Sequence, residues 1–334
     1  MIGRGIGGEA QSAAMEDGSR KARRRNGRKP FRRTGRRALT AILSASLLLG
    51  AALPAAAAAD APIAKAAKGR IGAGKADAAY AADPAVATAR PAAAVAAPDA
   101  APVLEAATFE EIAELIYGVM KDGYGERATV LYRGSTESLD QKLQQVFKAV
   151  GAKDDDLRFV LKKMTWNWTS TAYSATIDYR MSYWETFEQT EAVNEEARKA
   201  VQSPAIARKK EGREQTLAIY EWVMDRFRYD RTLEEHSAYA GLYGKNGTVC
   251  QGYALMLHRL LQAAGYESRI VYGKSKGDLH LWNMVRLDGV WQHLDATLDD
   301  PGAGKSKLAY FLRSDAAMAA DHSWDRSAYP AAGR

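Results

Sequence analysis

The sequence predicts an α+β fold, and three observations carry that reading. A single cysteine, Cys250, stands at the start of an apolar stretch with helical spacing. Three strand-like segments follow it, and two of them are joined at Asp288-Gly289, a strong hairpin signal. A mixed stretch of helices and Thr/Tyr/Trp-rich strands precedes the cysteine.

The 334 residues suffice for one or two domains with a sizeable core. The formal charge of +7 at first suggests a nucleic-acid partner. Its distribution removes that reading. Residues 1–59 hold 12 Lys+Arg against 3 Asp+Glu, and the remainder holds 35 against 37. The basic charge therefore belongs to a segment expected to be removed, and no nucleic-acid partner is expected. A lone cysteine excludes an intramolecular disulfide framework and a Cys-rich zinc site.

The N-terminus reads as an export signal, with residues 1–59 as the signal peptide. A basic run from Arg23 to Arg37 precedes 16 apolar or small residues, 38–53, which are short for a transmembrane helix. Pro54 ends the run, and Ala57-Ala58-Ala59 offers a cleavage site before Asp60. The chain is then expected to meet the membrane only transiently. From Asp60 to Pro102, 20 of 43 residues are Ala, with a single aromatic, Tyr80. Such a stretch buries too little apolar surface to offset the entropy of ordering it. Residues 60–107 are therefore expected to form a disordered spacer.

Residues 108–206 are expected to form a first α+β module. Thr108 and Glu111 resemble a capping box, and Ile112, Leu115, Ile116 and Val119 follow at helical spacing. Residues 128–132 read as a strand. Leu139, Leu143, Val146 and Val150 mark a second helix. The aromatics Trp166, Trp168, Tyr173, Tyr179, Tyr183 and Trp184 suit either sugar stacking or the packed face of a small sheet; packing is favoured.

Residues 207–334 are expected to form a second module. Ile219, Tyr220, Val223, Met224 and Phe227 share a helical face. A loop over 228–247 leads to Cys250. Tyr253, Ala254, Leu257, Leu260 and Leu261 continue at helical spacing, and Gly265 closes that helix. Backbone N–H groups at a helix start favour a thiolate. A two-residue turn at Asp288-Gly289 pairs Leu287 with Val290, which sets Trp282 against Asp295 and His280 against Thr297. His280 and Asp295 then share a face as diagonal neighbours, and a carboxylate there can fix the tautomer of the imidazole.

Three motifs together resemble the transglutaminase-like superfamily, a branch of the papain-like cysteine enzymes. They are Thr-Val-Cys250-Gln-Gly-Tyr-Ala, His280-Leu-Trp-Asn-Met-Val, and Trp291-Gln-His-Leu-Asp295-Ala-Thr-Leu-Asp-Asp-Pro301. The likeness covers about 207–301, and the tail over 310–329 resembles bacterial secreted members. It implies a papain-like core, with a Cys-bearing helix packed on an antiparallel sheet bearing His and Asp. It also implies Cys250 as nucleophile, His280 as general base and acid, and Asp295 as orienter. Leu281 and Leu298 stand where many members have Ala and Trp.

Tyr239, Tyr243, Gln251, Trp282 and Asn283 are candidates for an oxyanion donor or pocket wall. His293 is the rival base, on the same predicted face. His236 and His322 are placed in loops, and His258 within the helix; no metal grouping and no cofactor is expected. Asp299-Asp300-Pro301 reads as a turn rather than a calcium site. The expected function is exported, cysteine-dependent acyl transfer on peptide or glutaminyl amide bonds, with hydrolysis favoured and crosslinking possible. Its partners would be peptides or proteins of a bacterial surface, including cell-wall peptides. The alternative is a non-catalytic wall-binding protein that retains the fold.

Overall fold

The computed structural model of the chain describes residues 70–77, 103–300, 302 and 308–333. The expected signal peptide, its basic run and its cleavage site lie outside the described residues. Among the described residues, no helix is long and apolar enough to cross a membrane.

In chain order the elements are β1 (Arg70–Asp77), β2 (Val103–Ala106), α1 (Phe109–Lys121), β3 (Arg127–Arg133), α2 (Leu139–Lys153) and α3 (Asp155–Val160). Then come β4 (Leu161–Ser170), β5 (Ser174–Tyr183), α4 (Phe187–Gln202), α5 (Pro204–Ala207), α6 (Arg213–Arg226) and α7 (Ala238–Tyr243). The second half contains α8 (Cys250–Ala263), β6 (Ser268–Ser275), β7 (Asp278–Leu287), β8 (Val290–Leu294) and α9 (Ala296–Asp299). The tail adds β9 (Phe311–Arg313), α10 (Asp315–Met318) and β10 (His322–Trp324). One sheet runs β1-β4-β5-β3-β2 and the other β10-β6-β7-β8-β9. All neighbours are antiparallel except β2 and β3. The fold is α+β, with helices packed against two sheets.

The stretch 60–107, expected to be a disordered spacer, contains strands β1 and β2, and the expectation is corrected at those residues. Strand β1 pairs with β4 from Arg70 opposite Ser170 to Asp77 opposite Lys163. Backbone groups alone can extend a sheet edge, so an Ala/Gly-rich composition does not reveal such a strand. The expected break between modules at 206/207 lies between α5 and α6. One apolar core crosses it, from Ile112 and Leu143 through Val193 to Tyr253 and Leu260.

Local signals explain most elements. Thr108 accepts from the Glu111 N–H at 3.1 Å and starts α1. Thr186 and Gln189 form a full capping box at the head of α4. Asp288 and Gly289 both have positive φ, 49° and 81°, as a primed hairpin turn requires. Of the aromatics in β4 and β5, Trp166 and Tyr179 are buried and paired across the strands, in keeping with packing. Tyr173, in the turn between the strands, is 79% exposed.

The first module grips the second through buried ions. Arg259 of α8 donates Nε to Asp156 Oδ1 at 2.8 Å and NH2 to Asp156 Oδ2 at 3.1 Å. The same NH2 meets Glu185 Oε1 at 2.5 Å. Glu185 also accepts from Thr190 Oγ1 and from the Tyr239 N–H. One residue back in α3, Asp155 takes a two-pronged bond from Arg269 and the Ile270 N–H of β6. Sequence periodicity points to neither clamp, because the partners lie far apart in the chain, 103 residues for Asp156 and Arg259 and 114 for Asp155 and Arg269.

Removing one partner of a buried ion group leaves the others uncompensated and costs about 3–5 kcal/mol. Arg259→Met strands Glu185 and Asp156. Urea unfolding of this variant is expected to show a loss of about that size, with an unchanged slope.

Candidate active site

Helix α8 begins at Cys250, so the sulfur projects from its first turn. The preceding residue, Val249, is extended and offers no side-chain cap. The helix start is held tightly by the loop before it. A Cβ on Gly252 would meet Thr248 Oγ1 at 2.2 Å and the Ser237 carbonyl at 2.5 Å, so only glycine fits there. Cys250 is half-buried and unbonded to another cysteine.

Strands β7 and β8 hold the predicted register, with Leu287 opposite Val290 and Met284 opposite His293. Strand β8 ends at Leu294, so the expected His280–Thr297 pairing does not form. Asp295 instead leaves the sheet to cap α9, accepting the Leu298 N–H on Oδ1 at 3.1 Å. Its Oδ2 then lies 2.7 Å from His280 Nε2. Nε2 is taken by Asp295, and the Cys250 sulfur lies near enough to the ring to act on its charge. Cys250, His280 and Asp295 thus gather at one point of the fold.

The electrostatics follow from burial and neighbours. Burial opposes a charge on His280, but the Asp295 carboxylate and the Cys250 sulfur outweigh it and raise the imidazole well above its usual value. Burial also opposes ionising Asp295, whose side chain has no exposure. The adjacent His280 and the donors His322 and Leu298 nevertheless hold it below the usual carboxylate range. The arrangement suits an imidazolium beside an acid that stays ionised.

The other candidates have different roles. Gln251 donates to the Phe159 carbonyl at 2.5 Å and faces His236 Nδ1 at 3.2 Å, bracing the helix start. Asn283 donates to the Ala254 carbonyl of α8 at 2.9 Å, tying β7 to that helix. Trp282 spends its only N–H on His293 Nδ1 at 3.0 Å. The Tyr239 and Tyr243 rings pack on each other in α7. His293, the rival base, accepts from Trp282 on one nitrogen and meets Asp315 at 2.9 Å with the other. It has no nitrogen left for the sulfur. His236 stacks on Trp184, and His258 is buried against Ser268 Oγ.

The sequence reading misplaced His322. It lies on β10, fully buried, with Nε2 3.1 Å from Asp295 Oδ2 and Nδ1 2.7 Å from Asp321 Oδ1. One possible ligand atom from each of His280, Asp295 and His322 lies within 4.8 Å of the other two, a grouping the sequence did not suggest. Asp299 and Asp300 bind groups of the protein. Asp299 takes the Ala309 and Tyr310 N–H groups and the Tyr220 hydroxyl, which anchors the tail leading to His322. Asp300 accepts from the Tyr253 hydroxyl and the Gly302 N–H.

Residues 199–296 match the family model described as the transglutaminase-like superfamily. This stretch is a transglutaminase-like domain. It contains Cys250, His280 and Asp295, and it ends before the tail that supplies His322. A solved structure described as a TGase is 16% identical, with 56% of this chain and 55% of that one covered and a TM-score of 0.32. The chain therefore spans about half the length of that structure. A candidate cysteine protease from Cytophaga hutchinsonii is 15% identical over 51% of this chain and 65% of that one, at a TM-score of 0.28. No curated protein matches the chain.

The pair's contribution to stability has a definite pH window. His280, raised in the folded state, contributes fully below about pH 6.5 and loses its contribution as pH rises through the raised value. Asp295, lowered, contributes above about pH 4 and loses its contribution as pH falls through the lowered value. The stability gap between wild type and Asp295→Asn is expected to be widest between those limits and to narrow on both sides. Urea unfolding across pH measures it; a gap independent of pH contradicts the coupling.

Proposed function

We propose that the chain is an exported, cysteine-dependent acyl-transfer enzyme acting on peptide or glutaminyl amide bonds. One observation carries the reading: a cysteine at a helix start lies beside an imidazole whose Nε2 is held by a buried carboxylate. The transglutaminase-like domain supports a cysteine-dependent enzyme of this general class.

In this reading the Cys250 thiolate attacks the amide carbonyl carbon. The resulting oxyanion is held by backbone N–H donors at the head of α8, Cys250 among them. The His280 imidazolium gives its proton to the departing amine or ammonia, and the carbon–nitrogen bond breaks to leave a thioester on Cys250. Neutral His280 then takes a proton from water, and hydrolysis returns the thiol. A lysine amine in place of water yields a crosslink. Asp295 keeps the ring in one tautomer and stabilises its charge without itself taking the proton. Hydrolysis is the favoured outcome. Peptides or proteins of a bacterial wall or surface are the proposed substrates, in keeping with the basic and apolar N-terminus.

Cys250→Ala is expected to lower amide release or amine incorporation by at least a thousandfold while leaving the circular dichroism spectrum and unfolding midpoint near wild type. Turnover at the wild-type rate in this variant contradicts the proposal.

A further inference from the structure

His322 lies beyond the matched domain, and the acyl-transfer scheme makes no use of it. Its surroundings set its hydrogen bonding. Nε2 faces Asp295 Oδ2 and Nδ1 faces Asp321 Oδ1, at 3.1 and 2.7 Å. Both partners are carboxylate oxygens, which only accept. A ring with one N–H would satisfy one oxygen and present a lone pair to the other; a ring with two donates to both. Asp321 is fixed in turn, since its Oδ2 accepts from the Tyr310 hydroxyl at 2.5 Å. The edges of Trp282 and Tyr310 enclose the ring, with centroids 4.9 and 5.4 Å away. Strand β10 approaches this closely because residue 273 is glycine. A Cβ there would meet the Ser323 carbonyl at 2.3 Å and the Trp282 ring at 2.7 Å.

We infer that His322 is a positioning residue for the acyl-transfer centre, donating to Asp295 from the C-terminal tail and holding its Oδ2 in place against His280. This rests on the proposed function only in taking Cys250 and His280 as the reacting pair. His322 fixes the orientation of Oδ2, which would otherwise be set by His280 and the cap to Leu298 alone. The polar groups facing His322 are Asp295 at the head of α9, Asp321 before β10, His280 on β7, Tyr310 before β9 and His293 on β8. The carboxylates bond it directly. His293 accepts from Trp282 and so carries no second proton.

The test is the rate of Cys250 alkylation by iodoacetamide across pH in the full chain, which needs no substrate. Wild type is expected to show an acid limb well below the free-thiol value of about 8.5, where the thiolate–imidazolium pair forms. His322→Phe and His322→Gln each remove the imidazole that holds Asp295, and the limb moves up by about one pH unit. The rate below the limb falls about tenfold. His293→Gln disturbs the same wall without facing Asp295 and leaves the limb in place. If His322→Phe does not fold, the smaller His322→Gln decides. An unmoved limb in a folded His322 variant overturns the inference, as does an equal movement in His293→Gln. A wild-type thiol that alkylates only near pH 8.5 instead removes the proposed reacting pair, and the inference with it.

Discussion

The site depends on keeping one carboxylate ionised where water does not reach. Asp295 has no exposed surface, and a bare charge in such a place costs several kcal/mol. The chain meets that cost with three donors: two imidazole nitrogens on Oδ2 and a backbone N–H on Oδ1. The helix cap and the sheet fix where the acid sits. In return, the acid holds Nε2 of His280 and so fixes the orientation of the ring. Each partner comes from a different element, so the site exists only when α8, β7, the head of α9 and β10 are all in place.

The first module takes part in that assembly. Among the described residues it makes no hydrogen bond to His280 or Asp295, yet its acids hold α8 and β6 beside the site. Asp156 and Glu185 hold Arg259, two turns along α8 from Cys250. Asp155 holds Arg269 and the backbone of β6, the strand between β7 and β10. The Phe159 carbonyl braces Gln251, the neighbour of Cys250. A gap of a few tenths of an ångström matters at a reacting pair, and these long-range bonds give the helix start a rigid back wall.

The sequence made local and short-range features legible. The apolar spacing after Cys250 marked α8, and Asp288-Gly289 set a register that places His280 and Asp295 on one face. The exact opposition failed at Asp295, because its capping of α9 takes it out of the strand. Features built by distant partners were not legible. The acids of α3 look like any solvated pair until Arg259 and Arg269 fold onto them. The three-residue strand carrying His322 is too short to show alternation, so the residue reads as a loop histidine. Strand β1 is placed in the sheet by its backbone register with β4, which its Ala/Gly-rich sequence does not announce.

The most direct test of the reacting pair is to trap its covalent product. The protein is incubated with glutaminyl and wall-derived peptides, quenched in acid, digested and read by mass spectrometry. The account predicts an acyl group in thioester linkage to Cys250, and none in a His280→Ala variant of equal stability. Turnover of a peptide with no acyl group on Cys250, or the same adduct at the same rate without His280, would contradict it.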